Sequence, residues 1–364
     1  MAEGTTQDIR TDAALAIACS QYDLGPIQNI VEAIVGSRRS RKWVIRARRG
    51  DFVLKDRSEQ LATVEQVAFA HEVQLRLEEA GLPVAAIIGT RDSNRSLFQG
   101  NERIYELTRL VRGSSFDRGA EQAREAGRTL AWLHSALTGM EVPAMLTSTS
   151  FHRRSDLSAL TDHIPRAVRI VTNDDSARKA AGELARTLFN IYEMLVRKTD
   201  VMGFAQWPRF VVHGDWHPGN LLFNEDSTVA GVFDFDTVRL EPRIADVANG
   251  ALQFAMKITS DDPFTHPDGL NESIMLSFLS GYDAYDPSMI LSVAEMQAMC
   301  SLMSEALIAE AFPVIAQTGR FGRWGGLEFL QIIDRKVQWL TTEAEELLTR
   351  LNHGSQPAAD HRPP

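Results

Sequence analysis

Hydrophobic and polar positions change their period once along this chain. From Ile27 to Leu110 the apolar residues come mostly in short runs rich in Val, Ile, Trp and Phe. Ile27–Val35, Lys42–Ala47 and Asp51–Lys55 are separated by GSRRSR and RRG, a pattern that predicts consecutive β-hairpins. Val84–Ile88, Ser96–Gln99 and Ile104–Leu110 resume it. Between the two groups, Ser58–Glu79 loses the alternation and sets Leu61, Val64, Phe69, Val73 and Leu77 roughly on one helical face, with Gly81 and Pro83 as stop signals. An alanine-rich segment, Ala13–Cys19, predicts a helix before the first strand, ended by Gly25-Pro26.

Beyond Leu110 the period lengthens. Helices are predicted over Gly119–Leu137, Ser155–Val171, Ser176–Lys198, Ile244–Lys257, Asn271–Gly281, Ser292–Ala311 and Leu327–Leu351, interrupted by one hairpin that carries the chemical motifs. The change of period and Gly113 put a boundary at Val111–Ser115, dividing the chain into residues 1–110 and 111–351. Residues 352–364 have little to bury and are expected to be a disordered tail. The fold class is α+β: an antiparallel N-terminal sheet with one main helix, and a larger, mostly helical C-terminal lobe. A cleft between such lobes is the expected site.

Composition narrows the classes of function. With 364 residues, 44% hydrophobic and 24% charged, the chain has the make-up of an ordinary folded protein. Its net charge of −10 lacks the basic footprint of a nucleic-acid binder and suits a cationic substrate. Cys19 and Cys300 alone supply neither a disulfide framework nor a paired-cysteine zinc motif, as in a reducing compartment. The N-terminus lacks a basic segment followed by an apolar one, and no stretch approaches the roughly eighteen uninterrupted apolar residues of a membrane span. The expectation is a cytoplasmic protein with no membrane partner; nothing in the sequence specifies an oligomeric state.

The motifs name a chemistry. Residues 213–220 read HGDWHPGN, and GVFDFD follows at 231–236. Arg209–Val212 and Leu221–Phe223 flank the first as short strands, and Val229–Phe235 is predicted to return beside it with Asp234 at its end. Phosphoryl transfer needs a carboxylate near the attacking hydroxyl and oxygen ligands for magnesium across the β- and γ-phosphates; Asp215, Asn220 and Asp234 fit those needs. Asp236, two positions on, shares a face with Asp234 on an extended strand and is an alternative ligand. His213 and His217 with Asp215 leave open a zinc or iron centre, for which no further histidine cluster supplies ligands. Asp246 is a candidate helix cap or anchor for the HGD backbone.

Lys55 ends the run Phe52-Val53-Leu54-Lys55, where alternation turns its ammonium away from Leu54. Glu72 on the following helix is the favoured carboxylate to orient it toward nucleotide phosphates, with Glu65 as rival. The turn Gly36-Ser37-Arg38-Arg39-Ser40 offers backbone amides and arginines that suit phosphate, or forms only a basic hairpin tip. The chain has neither GxGxxG nor GxxxxGK[ST]. Glu305 and Glu310, on one predicted helix, are either a solvated face or a lure for a cationic substrate.

HGDWHPGNLLF, GVFDFD and EPRIADVA together resemble the aminoglycoside phosphotransferase and choline kinase family, which is related in fold to the protein kinases. Tyr22-Asp23-Leu24-Gly25, FVLK, EAGLPV, LTRLVRG and LAWLH look like family landmarks in family order, so the likeness runs from about Ala13 to at least Phe254. It implies a catalytic Asp215, magnesium ligands Asn220 and Asp234, a phosphate-binding Lys55 partnered by Glu72, and a hinge at Arg109-Leu110 whose backbone meets the adenine. It also implies that the co-substrate is ATP or GTP and that the acceptor is a hydroxyl on a small molecule, such as an aminoglycoside, homoserine, an amino alcohol or a sugar. The phosphate-covering loop is richer in arginine than the family pattern, and the DFD triplet differs in its third residue. Three rivals remain: a catalytically silent nucleotide-binding regulator, a protein-directed kinase and a metal-dependent hydrolase.

Overall fold

The computed structural model describes residues 13–32, 40–58, 62–100, 102–143, 150–260, 262–343 and 346–347. They divide between two compact units. The first draws on Met1–Phe116, Met140–Leu146 and Gly219–Val238, the second on Asp117–Gly139, Thr147–Pro218 and Arg239–Pro364.

In the first unit, β1 (Ile27–Glu32), β2 (Ser40–Ala47), β3 (Gly50–Ser58), β4 (Phe98–Gly100) and β5 (Arg103–Arg109) form an antiparallel sheet in the order β1-β2-β3-β5-β4. Side chains alternate across it. Leu54 pairs with Leu107, and with Trp43, Ile45, Phe52 and Tyr105 they build a core against Leu15 and Ala18 of helix α1 (Ala13–Ser20). The intervening residues Lys55, Arg57 and Glu106 therefore fall on the opposite face, toward helix α2 (Val64–Glu79).

Helix α2 begins later than the sequence predicts because β3 continues to Ser58 and Thr63 makes a capping box. Its hydroxyl accepts the Gln66 N–H at 3.3 Å and the Gln66 side chain accepts the Thr63 N–H at 2.9 Å. The strand predicted over Val84–Ile88 is reduced to isolated bridges, Val84 to Val232 and Ile87 to Thr108. The carbonyl of Ala85 in this segment is taken by the Gln74 side chain. A second pair, β7 (Leu221–Phe223) and β8 (Val229–Val232), is antiparallel, and its Phe223 exchanges backbone hydrogen bonds with Ser114 at 2.8 and 2.9 Å.

The second unit is helical apart from short strand pairs. Before its first motif, β6 (Arg209–Val212) pairs with β9 (Arg239–Pro242). Helices α3 (Ala120–Ala136) and α7 (Glu272–Asp283) touch backbone to backbone. A Cβ on Gly127 would strike the Phe278 carbonyl, and one on Gly281 the Arg124 carbonyl. Helices α4 (Leu157–Thr172), α5 (Asp175–Val201), α6 (Ile244–Ala255) and α9 (Gly326–Thr342) pack around α8 (Val293–Thr318).

The sequence predicts that α8 stops at Ala311, before Phe312-Pro313; the helix instead continues to Thr318 and ends on Gly319 in the left-handed region. Pro313 has no N–H for the Ala309 carbonyl, and Arg154 supplies the missing donor at 3.3 Å. Helix α8 is long and apolar enough to cross a membrane by composition alone, yet 83% of its apolar window is buried inside the protein, as befits a core helix.

Candidate active site

In the first unit Lys55, Arg109, Leu110, Asn220 and Asp234, all singled out from the sequence, line one pocket of about 280 Å³. Asn220 is buried at the end of a 3-10 turn, and its carbonyl accepts the Phe233 N–H at 3.0 Å, which fixes it beside Asp234. Strand β8 stops at Val232, short of the predicted Phe235. Asp234 then leaves in the left-handed region (φ 61°, ψ 65°), and Phe235–Thr237 form a 3-10 turn. For a residue with a side chain this backbone costs about 1–3 kcal/mol. It aims the carboxylate at Lys55, whose Nζ lies 3.0 Å from Asp234 Oδ1.

Asp236 reaches the same lysine by the turn rather than along a strand, at 2.7 Å, and also accepts from Arg57 Nη1 at 2.9 Å. Lys42 stands 3.5 Å from Asp234. Burial would raise the Asp234 carboxyl, but Lys55 and Lys42 outweigh it and hold the group well below the usual carboxylate range. Burial would likewise lower the Lys55 ammonium, yet Glu106, Asp236 and Asp234 raise it above its ordinary value.

The expected partnership of Lys55 with Glu72 is not formed. Glu72 is exposed and lines a different groove with Leu75, Arg76 and Glu79. The residue beside it, His71, is the one turned toward the sheet, with Nε2 at 2.7 Å from Glu106. Glu106 sits directly across from Lys55 in the β3–β5 register, 3.6 Å from its Nζ, and also binds Arg57. Helix and strand compete for the lysine, and in-register pairing decides the contest because cross-strand neighbours on one face are brought together by the sheet itself. Glu65, the rival, is also exposed. A sequence signal did exist: in RIYELTR, Glu106 shares an inward face with Ile104 and Thr108. Gly36 and Ser37 lie outside the described residues.

At the expected hinge the Arg109 N–H donates to the Ala86 carbonyl at 2.8 Å and the Leu110 N–H to the Asp51 carbonyl at 3.0 Å. Both N–H groups are thus engaged within the unit's own backbone.

The second unit holds Asp215. Its loop hangs on Asp246, whose buried carboxylate accepts the N–H of His213 at 2.6 Å and of Gly214 at 2.8 Å. His134 Nε2 supports that carboxylate at 3.3 Å, with its Nδ1 at 2.8 Å from the Tyr282 hydroxyl. Burial would raise the Asp246 carboxyl, but His134 holds it below its ordinary value. Arg239 donates to the Gly214 carbonyl at 3.2 Å. Trp216 is fully buried and anchors the loop from within. Asp246 thus anchors the HGD backbone, the second of its two candidate roles.

Asp215 itself remains part-exposed, with His217 Nε2 3.5 Å from its Oδ2. His213 is buried, its Nδ1 accepting the Asp215 N–H at 3.3 Å. Among the described residues no group of three or more His, Cys, Asp or Glu side chains is disposed to hold a metal.

The two acids of helix α8 differ: one is buried and one is exposed. Glu305 is fully buried against His152 Nδ1 at 2.6 Å and Thr199 Oγ1 at 3.0 Å. Glu310 is exposed, with the Gln253 side chain donating to it at 3.4 Å, and desolvation with the charge of Asp215 pushes its carboxyl up to about 7.

A family model described as the phosphotransferase enzyme family matches residues 30–285. No curated protein sequence matches the chain. Among solved structures, a microcompartment-associated aminopropanol kinase superposes with a TM-score of 0.67 at 15% identity, covering 93% of this chain and 100% of its own. An amicoumacin kinase in complex with AMP-PNP, Ca2+ and Ami gives 0.64 at 13% identity, covering 93% and 94%. An aminoglycoside phosphotransferase from Alicyclobacillus acidocaldarius gives 0.60 at 15% identity, covering 93% and 96%. These likenesses establish a shared, kinase-like fold.

Proposed function

The chain belongs to the phosphotransferase enzyme family, and from that footing we propose that it moves the γ-phosphoryl group of ATP to a hydroxyl of a small molecule. One observation carries the reading: Lys55, far off in sequence, lines a single pocket with Asn220 and Asp234. The donor set fits magnesium, because an amide oxygen and a carboxylate are hard ligands of the kind that ion prefers. Asn220 and Asp234 would hold it. When bound, magnesium supplies charge neutralisation across the β- and γ-phosphates.

Lys55 binds phosphate oxygens through its ammonium, which its carboxylate neighbours keep protonated. The Arg109-Leu110 segment lies against the base, with ATP as the expected donor and GTP the alternative. Asp215 orients the acceptor hydroxyl and receives its proton as the oxygen attacks the γ-phosphorus and the bond to the leaving ADP oxygen breaks. With such chemistry, catalysis is chiefly positioning and electrostatics, which is why the loop is fastened so firmly through Asp246.

The acceptor belongs to the set of aminoglycosides, homoserine, amino alcohols and similar metabolites. The acidic surroundings of Asp215, where Glu310 adds a second carboxyl, support a hydroxyl compound that also carries an amine. The net charge of −10 supports action on a cationic small molecule. A coupled ADP-release screen against hydroxylated amines, antibiotics and sugars tests the reading. Magnesium-dependent ADP release with one amine-bearing class is expected. Nucleotide binding without release for any acceptor would favour a silent regulator, and phosphate appearing on a partner protein would favour a protein-directed kinase.

A further inference from the structure

Lys55 has three carboxylates within reach, and they are not equivalent. Asp234 and Asp236 stand at 3.0 and 2.7 Å but belong to the turn that follows β8, where the proposed function places a metal ion and triphosphate. Glu106, at 3.6 Å, belongs to the sheet and sits opposite Lys55 in register. A carboxylate drawn to a cation is no longer a dedicated partner for the lysine. Glu106 is the member of the three that remains one.

Its surroundings keep it charged and fixed. Arg57, two residues along the same face of β3, binds Glu106 and reaches Asp236 at 2.9 Å. Burial would raise the Glu106 carboxyl, but Lys55 and Arg57, with the hydrogen bond from His71, hold it well below the usual range. From helix α2, His71 contributes Nε2 at 2.7 Å; it is 3% exposed, and its Nδ1 has no hydrogen-bond partner among the described residues. Because a carboxylate accepts, His71 must donate from Nε2. One residue further round the helix, Glu72 faces away.

We propose that Glu106 is the positioning residue for the phosphate-binding Lys55, and that His71 couples helix α2 to the lysine through this strand-borne carboxylate. The inference rests on the reading of Lys55 given above. It locates the lysine's orienting charge on the rigid sheet, so that a shift of α2 acts on Lys55 through one imidazole–carboxylate hydrogen bond rather than through an ion pair of the helix's own.

Calorimetric titration of the full chain with magnesium AMP-PNP and, separately, with adenosine tests it. Glu106→Gln is expected to weaken AMP-PNP binding about tenfold, the order expected for one charge-assisted contact, while leaving adenosine affinity unchanged. Glu72→Gln is expected to change neither. Should Glu106→Gln fail to fold, Glu106→Asp, which keeps the charge but withdraws it from Lys55, carries the test and is expected to lower the same ratio of affinities. An unchanged ratio in the folded Glu106 variant, or a ratio lowered by Glu72→Gln instead, would overturn the assignment. Wild-type protein that binds AMP-PNP no more tightly than adenosine would remove the phosphate-binding reading itself, and this inference with it.

Discussion

The buried carboxylate of Asp246 accepts the backbone N–H of His213 at 2.6 Å, and so a residue thirty-three positions away fixes the start of the loop that carries Asp215. The same carboxylate takes the Gly214 N–H at 2.8 Å. Asp246→Ala leaves the N–H groups of His213 and Gly214 without this acceptor and deprives His134 Nε2 of its partner. A stability loss of about 3 kcal/mol is expected. Denaturant unfolding measures it, and Asp246→Asn, which keeps an acceptor oxygen, should lose less.

Arg154 and Pro313 form a second testable pair. Arg154→Ala removes the donor to the Ala309 carbonyl and is expected to cost about 1–2 kcal/mol. In a Pro313→Ala background the helix regains its own N–H donor for that carbonyl, so the cost of Arg154→Ala should shrink. A double-mutant cycle by thermal unfolding reads the coupling.

Acid weakens the contribution of the charge cluster around Lys55 to stability. The folded-state values of Glu106 and Asp234 lie below their ordinary 4.5 and 3.8. The stability they contribute is therefore fully present above about pH 4.5 and is lost as pH falls through that range toward the folded values. Melting temperature measured from pH 6 to pH 3 should fall less steeply in Glu106→Gln than in wild type, because that variant no longer has the titrating carboxyl.

Glu310 behaves in the opposite sense. Its carboxyl is pushed up to about 7 from an ordinary 4.5, by desolvation first and Asp215 second. Raising the pH through that window charges the group. For an amine-bearing acceptor, KM should fall as pH rises from 6 to 8 in wild type. In Glu310→Gln the same profile should be flat.

Much of this was legible in the sequence where the signal is local. HGDWHPGN and GVFDFD sit on short runs, and the one helix of the sheet-rich region ends where Gly81 and Pro83 require. What escaped depends on contacts across strands and between helices. Glu72 is favoured over Glu65 in the sequence because chain order puts a helix after β3, whereas the register that aligns Glu106 with Lys55 is set by β5, some fifty residues on. Helix α8 runs past the predicted end at Ala311 to Thr318, through Pro313, because Arg154, 155 residues before Ala309, donates to the Ala309 carbonyl. Glu305 looked like surface charge because nothing local shows that His152 meets it at 2.6 Å.

The central claim is that Asp215 acts on the acceptor hydroxyl while the Lys55–Asp234 pocket holds the nucleotide. Steady-state phosphoryl transfer by Asp215→Asn, on the acceptor identified by the screen and with AMP-PNP affinity measured on the same preparation, tests it most directly. The account expects kcat to fall by about a hundredfold or more with nucleotide affinity intact. Near wild-type transfer by Asp215→Asn would contradict it.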